Sequence, residues 1–174
     1  MKHLWPLFIF VAGCASLPKA DLEKSLFPTG TYRQTVDVSP AGGRGTYRLS
    51  GVAGLTPEGL KIYMLGPMDV TAIKMSENFA DGNVRIENSF EPLKPYEGRL
   101  KLFYPILRAF LLYPRDQASW GGLAVLARDQ DGRIDSFKAP YGITIHILQY
   151  SKDHPSRFEF RHEKFRAQIS EVGT

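Results

Sequence analysis

A chain of 174 residues, 43% hydrophobic and 23% charged, has the balance of an ordinary globular protein and enough apolar material for a real core. Its formal charge of +4 is spread along the sequence without a run of Lys and Arg, which makes nucleic acid a poor partner and permits only a weak attraction to anionic lipid headgroups. A single cysteine excludes a disulfide framework.

The chain opens on MKHLWPLFIFVAGC. Lys2 and His3 make a short positive start, Leu4 to Ala12 an apolar run, and Gly13-Cys14 a small-residue cleavage site. That is the layout of a secretory signal, and the run falls short of the ~17–25 residues a membrane span needs. Val11-Ala12-Gly13-Cys14 resembles a bacterial lipobox, with Val11 where Leu is usual. The resemblance implies cleavage before Cys14, a thioether-linked diacylglycerol on its sulfur and a third acyl chain on the new amino group. At ~0.8 kcal/mol per buried methylene, several acyl chains anchor a protein firmly. Ala15 stands where lipoproteins of the inner membrane often carry Asp, so the same resemblance points to the bacterial outer membrane, with the domain lipid-anchored and facing the periplasm. The alternative is an ordinary secretory signal with an incidental cysteine. Without residues 1–13 the chain keeps 161 residues, about one domain, and a charge of +3, since Lys2 is lost.

Residues 14–28 read as the lipidated cysteine and a tether, punctuated by Pro18 and Pro28, in which Lys19 to Phe27 has the makings of a turn or two of helix. The domain then runs over 29–174. β signals dominate it: Thr31 to Val38, Thr46 to Leu55 (with Gly51 and Gly54 predicting a bulge or bend), Leu60 to Leu65, Val70 to Ser76 and Val84 to Phe90. A second group follows at Gly122 to Arg128, Arg133 to Lys138, Gly142 to Tyr150, Arg157 to Arg161 and Phe165 to Glu171. Asp129-Gln-Asp-Gly132 is the clearest turn. Alternation gives many strands one oily and one wet face: Ile143, Ile145 and Ile147 oppose Thr144, His146 and Leu148, and Phe158 and Phe160 oppose Arg157, Glu159 and Arg161. About ten strands at hairpin spacing predict a mainly β protein built on an antiparallel sheet, sandwich or barrel.

One segment departs from this period. Pro95 to Pro114, PYEGRLKLFYPILRAFLLYP, is helical in pattern. At 100° per residue Lys101 and Arg108 share one narrow stripe, while Leu100, Phe103, Ile106, Leu107, Phe110 and Leu111 belong to an apolar surface wider than one sheet contact requires. Pro105 predicts two short helices or a kink. Either the helix plugs the open mouth of the sheet as core, or it is a lid over an apolar cavity.

Ile62 to Met75, IYMLGPMDVTAIKM, is an apolar hairpin with an oily residue, Met68, beside Pro67 at its tip. A lipobox, a tether, a group of strands, an apolar helical insert and more strands, together with this hairpin, resemble the LolA/LolB-like family in its outer-membrane lipoprotein-receptor branch. Gly45 to Gly51 loosely fits the strand before it. Met68 replaces the usual Leu, and Asp69 stands where the family usually has Gly. The resemblance implies a highly curved antiparallel sheet, an incomplete barrel, with a short helical lid and an apolar interior that holds acyl chains. It implies a receptor that accepts lipoproteins or lipids from a LolA-like periplasmic carrier and releases them into the outer membrane, with Pro67 and Met68 as the membrane-insertion loop. Leu100, Phe103, Ile106, Leu107, Phe110 and Leu111 then form the lid. A thioether on a Pro-stiffened turn is oily and flexible enough for that use.

Other chemistry finds little footing. His146, His154 and His162 match no metal-ligand spacing, Asp129 to Gly132 lacks the distal ligands of a calcium loop, and Ser50 and Ser119 have no nucleophile-elbow context. No metal, no cofactor and no enzymatic activity are therefore expected, and the domain is expected to be a monomer. Three readings remain. A lipid-handling receptor needs a cavity beneath residues 99–113, an assembly or interaction module on the same scaffold needs a filled interior and an exposed binding patch, and an enzyme needs convergent polar groups in a pocket, for instance around His146.

Overall fold

The computed structural model describes residues 21–40, 46–66, 71–89, 94 and 97–172, with the side chains of Pro40, Glu97 and Arg99 left aside. Within them lie eleven strands and one α-helix: β1 (Gly30–Pro40), β2 (Tyr47–Thr56), β3 (Gly59–Leu65), β4 (Thr71–Asn78), β5 (Asn83–Asn88), α1 (Glu97–Leu111), β6 (Ser119–Trp120), β7 (Leu123–Arg128), β8 (Ile134–Lys138), β9 (Thr144–Ser151), β10 (His154–His162) and β11 (Phe165–Glu171). All strands join one antiparallel sheet in the order β5-β4-β3-β2-β1-β11-β10-β9-β8-β7-β6. Two meanders are thus sewn together where the first strand meets the last, Val36 opposite Ile169. The sheet has two edges, β5 and β6, and does not close into a barrel. The mainly β, incompletely closed sheet is the architecture expected. Its extra strand is the two-residue β6, too short for any period to reveal.

The alternation works as read. Ile143, Ile145, Ile147, Phe158 and Phe160 are buried on the inner face, and Leu148, Arg157 and Arg161 are exposed on the outer. Meander connections fall on two rims. The upper rim holds the end of β3, the start of β4, the His162–Phe165 turn and the Pro140–Gly142 turn; the lower rim holds the β4–β5, β7–β8 and β9–β10 turns. At the lower rim Asp129 to Gly132 is a hairpin turn, as expected. The Asp129 carboxylate accepts from the backbone N–H groups of Asp131 (3.0 Å) and Arg133 (2.9 Å), and Gly132 takes the positive φ of +79° that the turn demands.

Three expectations change. Gly51 and Gly54 make no bulge: β2 pairs with β1 and with β3 without a register shift. The shifts lie instead at Met64/Leu65, in β7 against β8, and at Pro155 to Phe158, where Pro155 has no N–H for the ladder. Second, Pro105 does not split the helical segment, because α1 runs unbroken through it. The proline has no N–H to offer the carbonyl of Lys101, and Lys101 and Leu102 are exposed, so the loss falls on a turn that is open to solvent. Third, the folded domain begins before residue 29. Leu26 and Phe27 are 2% and 0% exposed, Ser25 pairs with Pro114, and Leu22 to Lys24 form a turn and no helix. Apolar Leu26-Phe27 has more to gain in the core than in water, so the end of the tether packs.

Gly59 is fixed by close approach. A Cβ there would lie 2.1 Å from the backbone oxygen of Glu77 on the neighbouring strand, a contact that backbone alone must relieve. Gly59→Ala is expected to cost on the order of 1–3 kcal/mol in urea unfolding. An unchanged midpoint would show that β3 and β4 are not held this tightly.

Candidate functional site

The gap between the sheet's edges is where α1 lies, packed against β5 on one side and β7 on the other. Its C-terminal half is sunk in the sheet's concave face. Ile106, Leu107, Phe110 and Leu111 are 3%, 9%, 0% and 3% exposed. Phe110 is the hub of an aromatic cluster, with ring centroids 4.8 Å from Phe158, 5.6 Å from Phe27 and 5.8 Å from both Phe137 and Phe160. Such edge-on and tilted contacts add about 0.5–1.5 kcal/mol each to the area they bury.

The N-terminal half of α1 is looser. Leu100 and Phe103 are only half-buried, Lys101 is exposed and Leu102 is 54% exposed. Phe103 rests on Phe160 (5.0 Å) and on Phe165 (6.5 Å) near the upper rim. The other end of the helix is tied down. The Phe27 N–H donates to the Leu111 carbonyl (3.2 Å), and Arg115 donates to the carbonyls of Ser25 (3.0 Å) and Leu26 (3.4 Å). The first of these satisfies a carbonyl that the last turn leaves open, and the other two fix the segment before β1 against the chain that follows the helix.

Arg108 does not lie on a solvated stripe with Lys101. Its side chain is 5% exposed and meets Glu77 of β4, whose side chain is 2% exposed. Nε donates to Glu77 Oε2 at 2.6 Å and Oε1 at 2.9 Å, and the Tyr104 hydroxyl donates to Oε2 at 2.7 Å. The guanidinium also stands 5.9 Å from the Phe79 ring centroid. Burial first, and the Glu77 hydrogen bond second, push the Tyr104 phenol well above its ordinary range. The signal for this cluster was present in the sequence. Glu77 follows Ile73 and Met75 at the inward parity of its strand, and Arg108 sits inside Ile106 to Leu112.

A second ionic cluster lies on the outer face. Glu159 is 0% exposed although its neighbours in β10 point its way to water. Arg161 donates Nε to its Oε1, and Arg166 of β11 donates Nη2 to its Oε2 at 2.6 Å. Burial raises the Glu159 carboxyl, and the two guanidiniums outweigh it, holding the group below the usual carboxylate range.

The three histidines are not brought together. His154 bonds Glu171 (2.9 Å) at the lower rim against Phe27 and Tyr32, His162 accepts from the Lys164 N–H (3.1 Å) at the upper rim, and His146 lies on the outer face opposite Glu159. The structure therefore gathers Leu100, Phe103, Ile106, Leu107, Phe110 and Leu111 on one helix over the concave face. Cys14, Pro67 and Met68 lie outside the described residues. Among the described residues no helix is long and apolar enough to cross a membrane. No protein-family model matches the chain, and a search of curated proteins found no match.

Proposed function

We propose that the chain is an outer-membrane-anchored lipoprotein whose apolar concave face receives acyl chains beneath α1, taking lipoproteins or lipids from a periplasmic carrier and releasing them into the membrane. The observation that carries this reading is the single apolar helix wedged across the gap of an unclosed sheet. An apolar helix closing the gap, with its N-terminal turns only half-buried at one rim, is the element an incoming acyl chain would have to displace. The lipobox resemblance of Val11 to Cys14 supplies the anchor, and the hairpin ending in Met68 supplies an apolar probe for lipid.

In this reading the described form is the closed one. The space beneath residues 99–113, expected to be a cavity, is occupied by α1's own side chains among the described residues, so acyl chains would take their place only when the half-buried turns from Leu100 to Phe103 swing outward at the upper rim. Pro105 softens the joint between the loose and the sunken halves. Exchanging aromatic and aliphatic side chains for methylenes replaces like with like, so no nucleotide is required. Each methylene wetted in transit would cost ~0.8 kcal/mol, which favours mouth-to-mouth transfer. No catalytic role is part of this reading.

A second reading, an assembly or interaction module on the same scaffold, is favoured by one observation, the complete burial of Phe110 among four rings. Delivery of a triacylated lipoprotein from a loaded carrier to vesicles separates the two. The native protein is expected to accelerate transfer, and Met68→Glu to reduce it at least tenfold, because a carboxylate resists entry into acyl surroundings. Equal delivery by native and Met68→Glu protein would contradict the receptor reading.

A further inference from the structure

Cations that the sequence scatters are collected by the sheet's register. On the outer face one cross-strand row runs Ser39, Arg166, Arg161, Thr144, Lys138, Ala124. It holds three cations and no acid. The next row, Arg48, Asp37, Gln168, Glu159, His146, Ser136, has two acids, each already engaged: Asp37 by Arg48 at 2.8 Å, and Glu159 by Arg161 and Arg166. The row below adds Arg157. Arg161 and Arg166 oppose each other directly, a placement that repels unless something holds it. The buried Glu159 carboxylate does so. It takes one N–H from each guanidinium and aligns the pair, whose side chains stay 50% and 58% exposed. Among the described residues these guanidiniums bond only Glu159, Arg161 through Nε and Arg166 through Nη2, so each keeps further N–H donors at a half-exposed position. Paired planar donors of this kind match the oxygens of a phosphodiester.

We infer that this outer wall, centred on Arg161, Arg166 and Lys138, docks on the phosphates of anionic phospholipid headgroups and lays the domain with β8 to β11 against the bilayer. The inference rests on the anchored reading of Cys14. Six residues, seven steps along the chain, separate Cys14 from Asp21, where the described residues begin, a reach of at most roughly 25 Å. Such a tether lets several walls touch lipid; the charge selects one.

The test uses the full lipidated protein reconstituted into vesicles of phosphatidylcholine, alone or with roughly one-third phosphatidylglycerol. Thr144→Cys supplies a labelling thiol inside the cationic row and Arg85→Cys one on the far wall. A fluorophore at each is exposed to nitroxide-bearing headgroups. Quenching at residue 144 is expected to rise severalfold with phosphatidylglycerol, to exceed that at residue 85, and to fall back in high salt. Lys138→Glu with Arg157→Glu leaves the Glu159 bonds intact, and an unchanged urea midpoint checks that the fold is kept. Each cation near an anionic surface is worth on the order of fivefold, so this four-unit reversal should depress the face-down population at least about a hundredfold. Quenching at residue 144 that is indifferent to phosphatidylglycerol, or no greater than at residue 85, would overturn the inference and leave the wall to an acidic protein. Co-flotation with pure phosphatidylcholine reads the anchor alone, so failure of the anchor and failure of the wall are distinguishable.

Discussion

Glu77→Leu, or Arg108→Leu, is expected to destabilise the fold by about 3–5 kcal/mol, because each leaves the other charge buried without its partner. The double replacement Glu77→Leu with Arg108→Leu should cost far less than the sum and come close to native stability, since two buried ions and their desolvation are removed together. Urea unfolding of the four proteins closes the cycle. Additive losses would show that the pair does not act as a unit. The cluster also bears on motion. It ties the middle of α1 to β4 through Tyr104 and Arg108, so a helix that swings must break it or pivot about it. The looser turns before Tyr104 fit the pivot.

The second large effect belongs to Phe110. Truncation to Ala removes the ring that Phe27, Phe137, Phe158 and Phe160 surround and should cost about 3–5 kcal/mol. The space left is lined by apolar side chains, and such voids stay dry and accept apolar ligands. If acyl chains and α1 compete for the concave face, a long-chain fatty acid should restore part of the lost stability, with a larger shift in melting temperature than in the native protein. No shift in either protein would speak for the module.

Much of this fold was legible because strands write their period plainly. The inward isoleucines of β9 and phenylalanines of β10 announced a one-sided sheet, and the Asp129–Gly132 turn announced its hairpin. What stayed hidden was decided by distant partners. Arg108 looks solvated on a helical wheel until Glu77, 31 residues earlier in sequence, is brought beneath it by the pairing of β4. Leu26-Phe27 looks like tether until the end of α1 offers it a carbonyl and a ring. The outer wall is the same lesson in charge: Lys138, Arg161 and Arg166 are unremarkable in sequence, and only the register of β8 to β11 sets them in one row. The lipobox resemblance of Val11 to Cys14 and the hairpin tip at Met68 lie outside the described residues, and the proposal takes both from the sequence alone.

The proposal turns on whether the loose half of α1 leaves the sheet when a fatty tail enters. Hydrogen exchange of the α1 amides, with and without a saturating triacylated peptide, reads this directly. The account predicts that the turns from Leu100 to Phe103 lose protection on loading while the tied end at Phe110-Leu111 loses little. Unaltered exchange along the whole helix, with the peptide demonstrably bound or failing to bind at all, would contradict it.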